Sequence, residues 1–556
     1  MDPLGASQSP VAHTHIGGKQ PPSESTLSHL LKSNHPPTLE EEALTHTVLN
    51  RIRSDIAAID GEIARARAVV DGLLCKREAM EAKLNEHARI FSTLRRVPPE
   101  ILSQIFLFCL SGRPVEPHDY FTAPRVLGLV CNRWRYVART TPELYTCFHF
   151  LMTDASIKAD AIAAKTWLSR SGELPLFLIF GTSDDIPSPL AHTILDDIFM
   201  HCHRWKEITL FLPHDLVAQF ATIKGRTPSL EYLGFLSAQE RIDVRIWPLP
   251  LDAFQDAPLL KSLYLDGGVF NVTLNLAWHA LTELRLDDGL STLVMPMLRD
   301  CLSLETLEIS DIEDGYPTGH LIVELPNLHT LNLTIDTISY HIFAELKLPA
   351  LRHLVLHLCP YPEEPGGWSY REEFLSLLSR SKCSIQSLQL VCEPGSEFSE
   401  VDLIACLEAV PSLTKLHIRD DATYALTRAA LHRMTYREGK AAALLAPHLQ
   451  TLKIDWRRGA FEDAAFAGMV ASRCAIGPHV SPARTSLQVI EIDIFPPEDE
   501  DEDDFEANMM KEDGFEPRLL FETLRVLRNC KLDCLGMTVK VIEVGQYGEQ
   551  TDWLRV

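Results

Sequence analysis

The chain has 556 residues, of which 46% are hydrophobic and 23% charged, with a formal net charge of -24. That length accommodates several domains or one extended repeat array, and the composition is that of a chain that buries a core. The acidity argues against general nucleic-acid affinity, which rests on Lys and Arg neutralising phosphates.

Residues 1 to about 40 are rich in Pro, Ser, His and Gly, with "QPPSES" and "NHPPT". Such a segment buries too little apolar surface to offset its chain entropy and reads as a disordered tail. A heptad pattern follows over 41–91. With Leu49 as position a, the a/d series runs Leu49, Ile52, Ile56, Ile59, Ile63, Ala66, Val70, Leu73, Arg77, Met80, Leu84 and His87, apolar at ten of twelve positions. A sustained period of 3.5 residues predicts one long helix with a continuous apolar seam. Gly61 and Gly72 fall at f and c, away from that seam. The seam must be covered, either by self-association through residues 44–90 or by packing against the same chain.

Pro98 and Pro99 end that helix and open another, since proline is well tolerated in a first helical turn. From Glu100 the apolar residues Ile101, Leu102, Ile105, Phe106, Phe108, Cys109 and Leu110 cover more than one helical face. After the loop "SGRPVEPHDYFTAP", Val126, Leu127, Val130, Trp134 and Val137 recur at helical spacing until Thr141 and Pro142.

The largest part of the chain is a repeat. Ten copies of LxxLxL or a near variant run from "PSLEYLGFL" at 228 through "PLLKSLYLD", "HALTELRLD" and "LSLETLEIS" to "TSLQVIEID" at 485, and "HRWKEITLF" at 203 is a possible earlier copy. In each, the last two apolar positions are expected to point inward from a strand and stack on the next copy. The first apolar position fixes the turn into the strand. Segments such as "REEFLSLLSRS" and "AFAGMVASR" supply helices on the other side. This resembles the leucine-rich repeat family over roughly 200–495, although the asparagine usual a few positions after LxL is missing and the repeat length drifts. Near the end, "EDEDEDDFE" at 498–506 places eight acids in nine positions and reads as a solvated loop.

Motifs that carry chemistry are lacking. There is no GxSxG, GxxxxGK[ST], GxGxxG after a strand or HExxH, so no catalytic residue is assigned and no cofactor is expected. "HCH" at His201, Cys202 and His203 has no second ligand pair at a suitable distance, so no metal site is assigned. No apolar run reaches the roughly 18 residues of a membrane-spanning helix. The N-terminus shows no secretory signal, and the thirteen cysteines form no CxxC pairs; the expectation is a cytoplasmic or nuclear protein that engages no membrane.

The stretch "VPPEILSQIF…VCNRWRYVARTTPELYT" resembles the F-box, whose pattern is LPxEIL, then VCxxWR, then a closing Leu-Trp. Val97 and Pro98 stand at the LP, Glu100, Ile101 and Leu102 at EIL, and Val130, Cys131, Trp134 and Arg135 at VCxxWR. Leu144 and Tyr145 stand at the closing pair, and the loop between the motifs is longer than usual. The order of heptad helix, F-box and irregular repeats looks like the large F-box-like set of mushroom-forming fungi. The resemblance implies an α/β chain: a 1–40 tail, a heptad helix at 41–91, a helical F-box at 92–150, a leucine-rich-repeat solenoid at 151–495, an acidic loop at 496–516 and a solenoid cap at 517–556. It also implies a non-catalytic substrate receptor that binds a Skp-type adaptor, and through it a cullin, and presents a protein target for ubiquitination. The adaptor-docking face would include Pro98, Ile101, Leu102, Ile105, Val130, Cys131 and Trp134. Some of these must also form the small module's own core.

Among outward strand residues, Tyr264, Arg285, Glu308, Asn332, His353, Lys415, His417 and Arg419 are candidates for target contact. Their charges run from acidic in the early strands to basic near 415–419. The rival reading is an interaction scaffold in which the F-box-like helices only cap the repeats.

Overall fold

The computed structural model describes residues 27–91, 93–110, 122–153, 156–182, 188–211, 216, 218–236, 251–266, 274–287, 291–310, 322–335, 341–359, 368, 370–393, 396, 398–420, 425–437, 444–457, 463–474, 487–495, 524–528, 538–544 and 550–552. The chain divides into two units, residues 1–98 and 99–556. No helix among the described residues is long and apolar enough to cross a membrane. Residues 1–26 and the acidic run at 498–506 lie outside the described residues.

In the first unit, a short 3-10 turn at Leu30–Lys32 precedes α1, one continuous helix over Leu39–Ala88. At 1.5 Å per residue its 50 residues extend about 75 Å. Glu40, Glu41 and Glu42 occupy the first turn, where negative charge favours the helix dipole, and Thr38 and Glu41 exchange hydrogen bonds across it. None of its described side chains is buried, and the whole seam from Leu49 to Leu84 is solvent-exposed.

The second unit opens with three short helices, α2 (Pro99–Leu107), α3 (Ala123–Val130) and α4 (Asn132–Arg139), followed by a 3-10 turn at Pro142–Tyr145. A 15-stranded sheet then runs through the rest of the unit. In chain order its first strands are β1 (Cys147–Met152), β2 (Leu176–Thr182), β3 (Trp205–Phe211), β4 (Tyr232–Leu236), β5 (Ser262–Asp266), β6 (Glu283–Asp287) and β7 (Thr306–Ser310). After a two-residue strand, β8 (Val323–Glu324), come β9 (Thr330–Ile335) and another two-residue strand, β10 (Leu346–Lys347), which pairs with β8. The main sheet continues with β11 (His353–Leu358), β12 (Ser387–Cys392), β13 (Lys415–Asp420), β14 (Thr451–Arg457), β15 (Val489–Phe495), β16 (Thr538–Val544) and β17 (Gln550–Asp552). Every strand lies beside the next in chain order and parallel to it, except β17, which turns back antiparallel to β16. The sheet thus starts at 147, ahead of the expected boundary at 151, and continues past 495 into the segment expected to cap it.

Between the strands lie α5 (Ile157–Arg170), α6 (Ser188–Phe199), α7 (Ser291–Leu298), α8 (His341–Glu345), α9 (Arg371–Ser381), α10 (Glu400–Ala409), α11 (Arg428–Met434) and α12 (Asp463–Cys474). The two segments expected to supply helices are α9 and α12. The period-2 pattern does what the pleat requires: on β5, Leu263 and Leu265 are buried while Ser262, Tyr264 and Asp266 are only half-buried. The first apolar residue of each repeat, from Leu230 through Leu351 to Leu487, is buried as well. In several repeats it closes a tight turn by donating its N–H three residues back, as Leu304 does to Cys301 at 3.2 Å and Leu413 to Val410 at 3.1 Å. One residue on, a backbone bond ties each repeat to its predecessor, such as Glu305 N–H to Thr282 O and Thr414 N–H to Gln386 O.

A second device joins repeats at a distance. Arg473, buried near the end of α12, donates Nε to Met434 O at 2.7 Å, Nη1 to Ala446 O at 2.9 Å and Nη2 to Leu445 O at 2.7 Å. Arg380 at the end of α9 reaches Leu346 O and Phe343 O, and buried Arg204 reaches the carbonyls of Gly172 and Leu174. These guanidinium groups satisfy loop carbonyls that burial would otherwise leave orphaned.

Candidate functional site

The helical module stands at the first-strand end of the sheet. On α2, Leu102 and Phe106 sit four residues apart on one face and are fully buried. The Phe106 ring packs 5.0 Å from the ring of Trp134 on α4. Leu127 of α3 and Val137 of α4 complete this core. The turn between α3 and α4 is fixed by Arg135, whose Nε donates to Gly128 O at 2.8 Å, and by Cys131, whose sulfur accepts the Trp134 N–H at 3.5 Å. Thr141 bonds to Val137 O at 2.8 Å and lies 3.0 Å from the Ser103 hydroxyl of α2.

With the core served by Leu102 and Phe106, the neighbouring face of α2 carries Ile101 and Ile105, 53% and 42% exposed. Phe108, Val126, Leu129 and Val130 add further exposed apolar side chains on the same packed helices. Of the expected docking residues, Pro98, Ile101, Ile105, Val130 and Cys131 are exposed. Leu102 is a correction: at 0% exposure it presents no surface, because its position on α2 points it into the module's own core. Trp134 is half-buried, its ring engaged with Phe106. Phe108 and Leu129, 90% and 68% exposed, are surface members that motif matching missed; they fall outside the two motifs.

Leu144 and Tyr145 are both buried. Tyr145 lies edge-on to Trp167 of α5 at 5.1 Å, under the Arg170 guanidinium, and so joins the helical module to the first repeat.

The outward face of the sheet is organised in rows set by the register. Tyr264, Arg285, Glu308 and Asn332 are direct neighbours on β5, β6, β7 and β9, and the same row passes through Val355 and Gln389 to His417. His353 and Lys415 lie in an adjacent row with Ser387 between them, and Arg419 lies between Val391 and Asp455 in a third. Tyr264 and His417 are six strand steps apart, about 29 Å at the usual strand spacing.

Near β5–β7 these groups are engaged with one another. The Tyr264 hydroxyl donates to Asp287 Oδ2 at 2.6 Å, and the Arg285 guanidinium lies 4.7 Å from the Tyr264 ring centre. Arg285 also bonds Asp287 at 3.0 Å and Glu308 at 3.4 Å. Burial, reinforced by Asp287, raises the Tyr264 phenol well above its ordinary value. Asn332 Oδ1 is buried with no hydrogen-bond partner among the described residues.

Toward the other end, His417 Nε2 meets Asp455 Oδ2 at 2.8 Å, and Lys453 bridges Asp455 and Asp493 at 3.3 and 3.0 Å. Burial opposes ionisation of Asp455, but His417 and Lys453 outweigh it and hold the carboxyl below its usual range. The expected acidic-to-basic gradient is therefore interrupted: the strands after β13 bring carboxylates back beside His417 and Arg419. His201 and Cys202 are structural, His201 lying 3.2 Å from the Arg204 guanidinium and the Cys202 thiol donating to Arg226 O.

No family model matches the sequence, and no curated protein does. Among solved structures, the chain is similar to one in the crystal structure of the Rad7 and Elc1 complex in yeast, with a TM-score of 0.32 and 15% identity over 73% of this chain and 97% of that one.

Proposed function

We propose that this chain is a substrate receptor: α2–α4 act as an F-box that docks a Skp-type adaptor, and through it a cullin, while the outward face of a leucine-rich-repeat solenoid holds a protein target for ubiquitination. The observation that carries the reading is the division of labour on α2. Leu102 and Phe106 are α2's share of the core, and Ile101 and Ile105 remain exposed, as do Leu129 and Val130 of the neighbouring α3. Exposed apolar clusters on a small helical module are the mark of a partner surface. Ile101 and Val130 fall on the LPxEIL and VCxxWR-like segments that suggest which partner. The chain's own part is binding and presentation; the ubiquitin-transfer chemistry belongs to other subunits.

The test is capture of the full chain by a recombinant Skp-type adaptor, compared with an Ile101→Asp/Val130→Asp variant. Both positions are exposed, so the variant is expected to fold normally and lose capture. A wild-type chain that does not bind the adaptor would favour the second reading, an interaction scaffold with the helices as an end cap. That reading draws its support from the burial of Leu144 and Tyr145 against the first repeat.

A further inference from the structure

The helix α1 raises a question that the receptor reading leaves untouched. It holds one conformation over Leu39–Ala88 with two glycines in its interior, and none of its described side chains is buried. Glycine weakens a helix interior, and an amphipathic helix draws most of its stability from the face it buries. Added Cβ atoms at Gly61 and Gly72 would meet nothing within 4 Å, so neither glycine is there for close packing within the chain. The exposed seam, from Leu49 through Ile52, Ile56, Ile59 and Ile63 to Leu84, needs a cover of matching period.

The charges flanking the seam identify the cover. At the g positions, Asp55 and Glu62 occupy the N-terminal half, and Lys76 and Lys83 the C-terminal half. At the e positions, Arg53 lies near the start and Glu81 near the end. Each half is therefore complementary to the other half of an identical helix running in the opposite direction. We propose that α1 pairs with α1 of a second copy as an antiparallel two-stranded coiled coil, in the register that sets Leu49 opposite His87, Ile63 opposite Leu73 and Arg77 opposite Ile59.

This register uses all twelve a and d positions. It places Asp55 against Lys83, Glu62 against Lys76 and Arg53 against Glu81, each twice by symmetry, at the cost of a single Arg67–Arg67 contact. The parallel in-register pair is poorer. It retains Glu62–Arg67 and Lys76–Glu81 but sets Asp55 against Asp60 and stacks Arg77 on Arg77 in the core. In the antiparallel pair the Arg77 stem lies along Ile59, while its head reaches the helix edge, where its Nε is already 3.3 Å from Glu81.

The experiment uses three full-length chains: wild type, an acidic variant (Lys76→Glu/Lys83→Glu) and a basic variant (Asp55→Lys/Glu62→Lys). Mass is measured by light scattering over a dilution series, with circular dichroism and thermal melting as controls for folding. The proposal predicts a dimeric wild type. It also predicts that each variant alone associates about tenfold or more weakly, since every reversed pair becomes a like-charge contact, and that the equimolar mixture of the two regains dimerisation. In the parallel arrangement the mixture would stay weak, because the Lys76→Glu carboxylate then faces Glu81 and the Glu62→Lys ammonium faces Arg67. A monomeric wild type overturns the proposal, and so does a dimeric wild type whose variants fail to complement each other.

Discussion

Ile101 and Leu102 are neighbours with opposite fates, one exposed at the surface and one in the core. Leu102→Ala removes fully buried methyl groups from a three-helix core and is expected to cost about 2–5 kcal/mol. Ile101→Asp, half exposed, is expected to stay within about 0.5 kcal/mol while removing adaptor capture; urea unfolding of both variants separates these outcomes. Arg473 presents a buried-charge case. Its replacement by Ala strands the carbonyls of Met434, Leu445 and Ala446 and is expected to cost about 3 kcal/mol or more, seen as a lower unfolding midpoint. Thiol labelling offers a third check. Burial pushes the Cys301 thiol up to about 12, whereas Cys131 is exposed at the turn between α3 and α4. At neutral pH a maleimide should modify Cys131 quickly and Cys301 only after unfolding, and bound adaptor should protect Cys131.

At the scale of elements, the sheet is where sequence and structure agree best, for a definite reason. Each LxxLxL copy encodes its own turn and its own alternation, so a strand such as Leu263–Leu265 is legible without reference to its neighbours. In sequence, β1 and β16 lack the leucine that leads each LxxLxL copy, which leaves them without the repeat signature although "CFHFLM" and "TVKVIEV" alternate well. The arginine clamps are illegible in the sequence because Arg473 meets carbonyls 27 to 39 residues away, a separation that no local pattern marks. On α2 the motif names the apolar residues, but the side of the helix that each one takes follows from how α3 and α4 pack. That is why the motif alone puts Leu102 on the wrong side. The strand rows carry a pH prediction. The folded-state pKa of Asp455 lies below its unfolded value of about 3.9, so it contributes stability above that pH which is lost as pH falls through the folded value. Burial also lowers His357, whose contribution is present above about 6.5 and lost on acidification below it. Stability measured against pH should therefore fall on acidification in two steps, and Asp455→Asn should flatten the lower one.

On the scale of the whole molecule, two kinds of surface divide the work. The long sheet positions charged and hydrogen-bonding groups in rows along its outward face, where Arg285 is partly committed to Glu308, and His417 and Lys453 to Asp455. A target that engages this face must exchange those internal ion pairs for its own, which favours specificity over raw affinity. The helical module at the sheet's end carries the apolar contact, and Tyr145 fixes it to the first repeat. In the proposed receptor, such a joint would hold a docked adaptor at a set position relative to the rows. The most direct test is titration calorimetry of the full chain with a purified Skp-type adaptor. The receptor reading predicts one-to-one binding with a negative heat-capacity change from apolar burial, abolished by Ile101→Asp/Val130→Asp and retained when Lys415 and Arg419 are reversed in charge. No heat of binding from the folded wild-type chain, or binding that survives the double substitution, would contradict it.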